Sequence, residues 1–505
     1  MRKRIILQLA LLLETASMSA QTFTHYTTTE SQEWQESKAS LSNKASSQPL
    51  ITLNGDEQGH EFLAWGTCFN ELDLDALEQL RPEEQEEVMR RLFAPDGDLR
   101  FTRGRLTMNA NDYSRAWYSC DTVDGDFHLN HFNIEHDKQN AIRLIKMAQR
   151  HQPALTFWMS PWSPPAWMKI NHDYPVLSSR YNRQPKEKDA FLYAGSVTSD
   201  TAIDPDEMKL LGDRNGVFPR RLATQDYMIQ DPRYLQSYAN MFCRFIELYQ
   251  QEGIPIDMVM YQNEAYSYTP YPGCAWTAEG TIRFNHEFLK PTLEKHHPEV
   301  KLYLGTFNTN RLDYVEKTVD GLKDEVTGLG IQWECREHLA ALHERYPGLH
   351  LISSESECGN GSMDWKAGEH TFHLLCDYIG RGCDEYFIWN FILQDNGESP
   401  WGWRQNALIQ VDSQKKTLRY TPEYYAVKHF SNLVPPGSRM LAYTSREQTK
   451  GMPVIVFQRP DQKRVVVAGN QTDEEVRATI RLGKKHLNMV LPAHSFHSFI
   501  EKSSR

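Results

Sequence analysis

Short apolar runs recur along most of this chain, and the stretches between them repeat at helical spacing. The runs read "EFLAWGTCF", "LRFTRGRLTM", "ALTFWMSPW", "IDMVMYQNE", "KLYLGTF", "GLGIQWE", "LHLISSESE" and "EYFIWNFIL". Each is too short for a buried helix and has the continuous apolar character of a strand covered on both faces. Between them lie amphipathic stretches such as "PEEQEEVMRRLFAP", "NAIRLIKMAQRH" and "YLQSYANMFCRFIELYQQEG", the last closing on Gly253, a normal helix stop. Eight strands alternating with helices predict an α/β fold with a parallel sheet. Closed on itself, the sheet is a (β/α)8 barrel, also called a TIM barrel, expected over residues 58–417. A polar stretch near residues 170–230 reads as a long insertion after the third strand. From residue 418 to 505 the pattern shifts to short strands and turns, "GMPVIVFQR", "KRVVVAGNQ", "EVRATIRL", "HLNMVLP" and "HSFHSFIE", as in a small β-sandwich. The Ser-, Thr- and Gln-rich segment 21–57 has no helical period, and its strand "PLITLNG" near residue 50 is expected to join that sandwich.

The opening differs from everything after it. Arg2, Lys3 and Arg4 precede an apolar run, Ile5 to Leu13, with small residues up to Ala20. This is the layout of a signal peptide spanning 1–20, cut before Gln21, and it implies export to a periplasm or beyond. The run is too short to span a bilayer, and no later stretch reaches the length of a membrane helix, so stable membrane insertion is not expected. The formal charge of −11 gives no footprint for nucleic acid and disfavours an anionic polymer, leaving a neutral substrate as the better fit. Twelve Trp and 23 Tyr suit the faces of sugar rings, and equally suit a large core. Eight cysteines show no C-x-x-C pair and no zinc spacing; most are expected to be free and buried.

Two carboxylates stand at the ends of apolar runs: Glu264 closes "MVMYQNE" and Glu355 lies in "LHLISSESE". Active sites of (β/α)8 barrels gather at the C-terminal ends of the strands, and a buried charge there needs a partner or a use. A retaining glycosidase needs two carboxyl groups about 5–5.5 Å apart, one as acid/base and one as nucleophile. Strands four and seven stand roughly across a barrel from each other, so these two glutamates fit that need. Glu357, two residues beyond Glu355, shares its side of an extended strand, so strand parity alone does not separate the two.

The order of motifs is similar to that of glycoside hydrolase family 30, which includes acid β-glucosidases (glucosylceramidases) and β-1,6-glucanases. "GTCFNEL", "RLTMNANDYS", "SPWSPPAWMK", "QNE", "SESECGNG", "WNFIL", "LIQVD" and "YTPEYYAVKHFS" resemble its segments, in order, over roughly residues 60–440. The resemblance implies a retaining glycoside hydrolase acting on β-linked glucosides or glucans, with Glu264 as acid/base and Glu355, rather than Glu357, as nucleophile. It further implies that Asn263 donates to the sugar 2-hydroxyl and that Arg105 sits beside the nucleophile and keeps it ionised. A structural salt bridge is the alternative for Arg105. Asp112 and Trp162 would grip outer hydroxyls of the terminal sugar, and Trp389 would floor the ring, followed by Asn390. Trp333 matches an aromatic near the sixth strand, where core packing is the alternative. No metal or organic cofactor is implied, and the partner is a carbohydrate. Ala265 departs from the pattern, since many members carry Pro after "NE". An endo-acting β-1,6-glucanase or xylanase is the alternative within the family, and a non-catalytic carbohydrate-binding barrel is the alternative outside it. A sugar-binding role for the sandwich would fall to Phe496 and Phe499, with structural support as its other reading.

Overall fold

The computed structural model describes residues 22–188, 225–445 and 451–502. The expected signal peptide and most of the expected insertion at 170–230 lie outside the described residues. The described residues begin with three strands, β1 (Thr22–Thr29), β2 (Gln32–Ser42) and β3 (Pro49–Phe62). Eight more follow in the pattern read from the apolar runs: β4 (Ala64–Cys68), β5 (Arg103–Met108), β6 (Thr156–Pro161), β7 (Ile256–Met260), β8 (Lys301–Phe307), β9 (Gly328–Gln332), β10 (His350–Glu355) and β11 (Cys383–Ile388). They form a closed barrel in sequential order, each parallel to its neighbours, with β11 returning to β4. All residues of β4, β9 and β11 are buried, which is why these strands read as unbroken apolar runs.

The helices owe their places to their ends as much as to their faces. Helix Pro232–Gln251 starts where the Asp231 side chain accepts from the Arg233 N–H and a proline occupies the first turn. It buries Leu235, Tyr238, Phe242, Phe245 and Tyr249 against the sheet and stops at Gly253, whose φ of +71° favours glycine. On β5, side chains alternate between the barrel axis and the helix layer. Arg103 and Arg105 face the axis. Gly104 faces outward, where an added Cβ would come within 2.5 Å of the Phe157 ring.

Inside the barrel, Trp158, Met258, Met260, Tyr303, Ile352 and Phe387 form an apolar plug. Below it, Arg103 bonds Glu385 at 2.9 Å and also Asp257. Above it lies Arg105. The plug shuts the axis to water, so charge placed above it is felt strongly.

β12 (Ile392–Gln394), β13 (Ile409–Asp412) and β14 (Thr417–Tyr420) make a small sheet before helix Pro422–Ser431, which packs on helix Trp365–Gly380. The C-terminal strands start later, with β15 (Ser438–Ser445), β16 (Val454–Gln458), β17 (Arg464–Asn470), β18 (Val476–Leu482), β19 (Lys485–Leu491) and β20 (Ser495–Glu501). They close with β1, β2 and β3 into one nine-stranded unit. The chain start thus gives three strands to the sandwich where one was expected. β3 also runs through the expected junction at residue 57 and ends two residues before the barrel's first strand.

Barrel and sandwich share an aromatic seam. Phe496 stacks on Trp365 at 4.7 Å and on Phe372 at 4.9 Å, while Phe499 lies in the sandwich core. All eight cysteines are free thiols, seven of them buried. Among the described residues no helix is long and apolar enough to cross a membrane.

Candidate active site

Glu355 is the last residue of β10, so the strand itself delivers its carboxylate to the upper rim of the barrel. Arg105, two positions above Arg103 on β5 and fully buried, donates through Nη1 to Glu355 Oε2 at 2.8 Å and to the Ser354 carbonyl at 3.1 Å. Its Nη2 donates to Asn263 Oδ1 at 2.7 Å and to Ser160 Oγ at 3.1 Å. The guanidinium also lies over Trp158, Trp162 and Trp389, with centroid distances from 4.5 to 5.4 Å. This Arg is no ordinary surface ion pair. Its contacts join three barrel strands, β5, β6 and β10, with the segments that follow β6, β7 and β11.

Glu264 stands four residues beyond β7, with its backbone in the left-handed region at φ +46°. That costly conformation is held from two sides: the Glu264 N–H donates to Thr306 Oγ1 at 3.1 Å, and the Ser267 N–H donates to the Glu264 carbonyl at 2.9 Å. Gln332 Nε2 donates to Glu264 Oε1 at 2.9 Å, while Ser354 Oγ donates to Gln332 Oε1 at 2.9 Å. Gln332 also lies close enough to Glu355 to lower its pKa, so one amide acts on both carboxylates. Trp333, at φ +50°, donates from its indole N–H to Glu355 Oε1 at 3.4 Å, which puts it at the site and not only in the core.

The two acids differ in what touches them. Burial first, and then the charge of Glu355, push the Glu264 carboxyl up to about 7. Burial raises Glu355 as well, with Arg105 the largest influence opposing it. A charge shared by the pair therefore settles on Glu355, which has the cation, and the proton on Glu264, whose nearest partner is a neutral amide.

Glu357 faces elsewhere. β10 ends at Glu355, so the side-sharing expected of an unbroken strand does not extend to Glu357. Its carboxylate reaches His370 at 2.7 Å and Arg336 at 3.5 Å, in the helix layer. Burial pulls its pKa upward, but the His370 and Arg336 side chains outweigh that and hold it below the usual range.

The remaining expected residues line the same space. Asn263 Oδ1 accepts from both Arg105 and Thr306 Oγ1, which leaves its NH2 end for a ligand. Trp162 and Trp389 stack at 5.0 Å, and Asp112 is buried beside them with Oδ1 unpartnered. Burial first, then Glu355 and Glu264, raise the Asp112 pKa well above its ordinary value. Asn390 reaches the site through other residues, its Oδ1 accepting from Asn70 at 3.1 Å and its Nδ2 donating to Gln405 at 2.8 Å. Ala265 is buried with its carbonyl bonded to the Trp276 N–H at 2.9 Å, so the backbone after Glu264 stays fixed.

Sequence reading did not single out Gln332, Thr306, Gln405, Asn70 or Asp73. Asp73 is fully buried and accepts from the backbone N–H groups of Asn70, Phe391 and Ile392, at 3.0–3.2 Å, pinning the turn after Trp389. The "NELD" spacing, an Asn followed three residues later by an acid ahead of a helix, is the one signal that pointed to this capping arrangement. Among the described residues no group of three or more His, Cys, Asp or Glu is placed to hold a metal ion.

Comparison with known proteins bears on the fold and its two parts. The family model described as the glycosyl hydrolase family 30 TIM-barrel domain matches residues 63–187 and 225–434, and that of the family's β-sandwich domain matches 437–499. The chain is 25% identical over 488 residues to the lysosomal acid glucosylceramidase of Mus musculus, covering 91% of this chain and 84% of that one. Among solved structures, SrfJ from Salmonella typhimurium superposes with a TM-score of 0.78 at 20% identity, over 96% of this chain and 100% of that one. The endo-β1,6-glucanase BT3312 superposes with a TM-score of 0.73 at 21% identity, over 96% and 99%.

Proposed function

Because the chain belongs to glycosyl hydrolase family 30, we propose that it is a retaining glycosidase of β-linked glucosides or glucans, working by double displacement with Glu264 and Glu355. One observation carries the reading. Two buried glutamates face one amide, Gln332, and only one of them touches a cation. That asymmetry is what a two-step displacement needs, an ionised carboxylate beside a protonated one.

In the first step Glu264 gives its proton to the leaving oxygen while a Glu355 oxygen bonds to the anomeric carbon, and the glycosidic C–O bond breaks. In the second step ionised Glu264 takes a proton from water as that water attacks the same carbon, and the bond to Glu355 breaks. The strong influence of the Glu355 charge on Glu264 supports two carboxyls standing close together, as a retaining pair requires. Asn263, steadied by Arg105 and Thr306, offers its NH2 to the 2-hydroxyl. The stacked Trp162 and Trp389 offer a flat apolar wall to the ring. The partner is a neutral carbohydrate. Export is proposed alongside, from the basic start and apolar run of residues 1–20, and the N-terminal sequence of the mature protein tests it.

The test uses glutamine variants on an aryl β-glucoside with a good leaving group, followed by a panel of β-linked disaccharides and glucans. Glu355→Gln should lose about 10⁴-fold or more in kcat, as expected when a nucleophile is removed. Glu264→Gln should keep much of its first-step rate on the activated substrate and lose about 100-fold or more on unactivated disaccharides. Glu357→Gln should stay within a few-fold of wild type. Loss of turnover in Glu357→Gln with Glu355→Gln active would overturn the assignment. The panel separates action on chain ends from action within a glucan.

A further inference from the structure

Apart from its own backbone N–H, the Asp112 carboxyl has one hydrogen-bonding partner, Gln405. Its Oδ2 lies 3.5 Å from Gln405 Nε2, a long contact, while Oδ1 is buried without a hydrogen-bond partner, and the charges of Glu355 and Glu264 both act on this carboxyl. The direction of the Gln405 contact is fixed from a distance. The Tyr113 backbone N–H donates to Asn111 Oδ1 at 2.6 Å, and a main-chain N–H cannot accept. Asn111 must then donate from Nδ2, which it does to Asn70 Oδ1 at 2.9 Å. Asn70 Nδ2 donates to Asn390 Oδ1 at 3.1 Å, and Asn390 Nδ2 donates to Gln405 Oε1 at 2.8 Å. Gln405 is left with its NH2 toward Asp112. Turning any one of these amides would set two like ends face to face in a buried site, since all are between 1 and 6% exposed. Because Asn111 and Asp112 are chain neighbours, the circuit closes on the residue it serves.

We infer that Gln405 is a positioning residue for the reaction: at the end of this one-way amide relay it holds Asp112 so that Oδ1 alone meets one hydroxyl of the terminal sugar, and so governs which sugar the site accepts. The inference rests on the glycosidase reading above. A carboxyl whose Oδ2 is always addressed by a donor keeps that oxygen as acceptor in either protonation state. Only Oδ1 is left for the ligand, and the hydrogen bond it makes belongs to one position on the ring.

The test takes the aryl β-glycoside that the wild-type protein cleaves best, with its 3-, 4- and 6-deoxy analogues. It compares wild type, Gln405→Met, Gln405→Glu and Asp112→Asn. The readout is the ratio of kcat/KM for parent over analogue within each preparation, so any misfolded fraction cancels. Wild type should reject one analogue by about 100-fold, as for a lost hydrogen bond to a charged or buried group. Gln405→Met should cut that one ratio about tenfold or more and leave the other two within about threefold, and Gln405→Glu should act at the same position. Asp112→Asn should act there as well, and the double variant with Gln405→Met should lose little more, because the pair works as a unit. A uniform fall of all substrates, or an effect at a different hydroxyl from that of Asp112→Asn, would overturn the inference. Failure of the β-glucoside reading is separate, since it shows as a best substrate that is not a glucoside while the ratios keep their meaning.

Discussion

Glu264 is a stronger base than a free glutamate because it is buried beside the charge of Glu355, and that sets the pH at which it works. With its pKa near 7, it is protonated below that value and ionised above. The glycosylation step needs the proton, so kcat/KM should hold on the acid side and fall tenfold per pH unit above about 7. Glu264→Gln cannot ionise, so on the activated substrate that alkaline limb should disappear. A profile of unchanged shape in the variant would remove Glu264 from the acid role. How far such residues could be read from sequence followed their chemistry. Glu264, Glu355 and Arg105 are charges at the ends or inside of apolar runs, where charge is costly and so conspicuous. Gln332, Thr306 and Gln405 are neutral, so burial makes none of them conspicuous, and they owe their roles to partners 42 to 293 positions away. Glu357 shows the converse, with a strand rule failing two residues past the end of its strand.

At the scale of elements, all eight barrel strands could be found because parallel strands buried on both faces leave continuous apolar runs. The hairpin of β1 and β2 could not. β2 is mostly exposed, its sequence "QEWQESKASLS" has almost no apolar alternation, and its partner β19 lies more than 440 residues along the chain. Helix Pro422–Ser431 hides another element-scale feature. Glu423 in its first turn is buried against Thr371 of helix Trp365–Gly380, whose hydroxyl donates to Oε1 at 3.0 Å, and Oε2 is unpartnered. Burial pushes this carboxyl up to about 8, from an ordinary value of 4.5. Folding therefore takes up a proton between those values, and the stability present below about pH 4.5 is progressively lost as pH rises through 8. Several kcal/mol are at stake, at about 1.4 kcal/mol per unit. Glu423→Gln keeps the shape without the charge, so its Tm should match wild type near pH 5 and exceed it by several degrees near pH 9. Equal losses for both proteins across that range would remove Glu423 as the cause.

At the scale of the whole molecule, barrel and sandwich are tied at both chain ends. β3 passes directly from one to the other, and Phe496 lies between Trp365 and Phe372 of helix Trp365–Gly380. His429 bonds Ser498 at 2.8 Å and Thr28 at 3.0 Å, linking helix Pro422–Ser431 to β20 and β1 together. The two parts should therefore unfold in one calorimetric transition. Phe496→Ala, which opens a cavity in this seam, should cost about 3 kcal/mol or more and split that transition in two. A variant with one unshifted transition would show that the seam carries no load. The proposed double displacement shows at the same scale in the product, because in it Glu264 and Glu355 set the face from which water arrives. The most direct measurement is a proton NMR time course of an aryl β-glucoside hydrolysed by enough protein to outrun mutarotation. Double displacement predicts that the β-anomer of the sugar appears first and the α-anomer grows in later. An α-anomer formed first would mean a single displacement by water and would contradict the roles given to both glutamates.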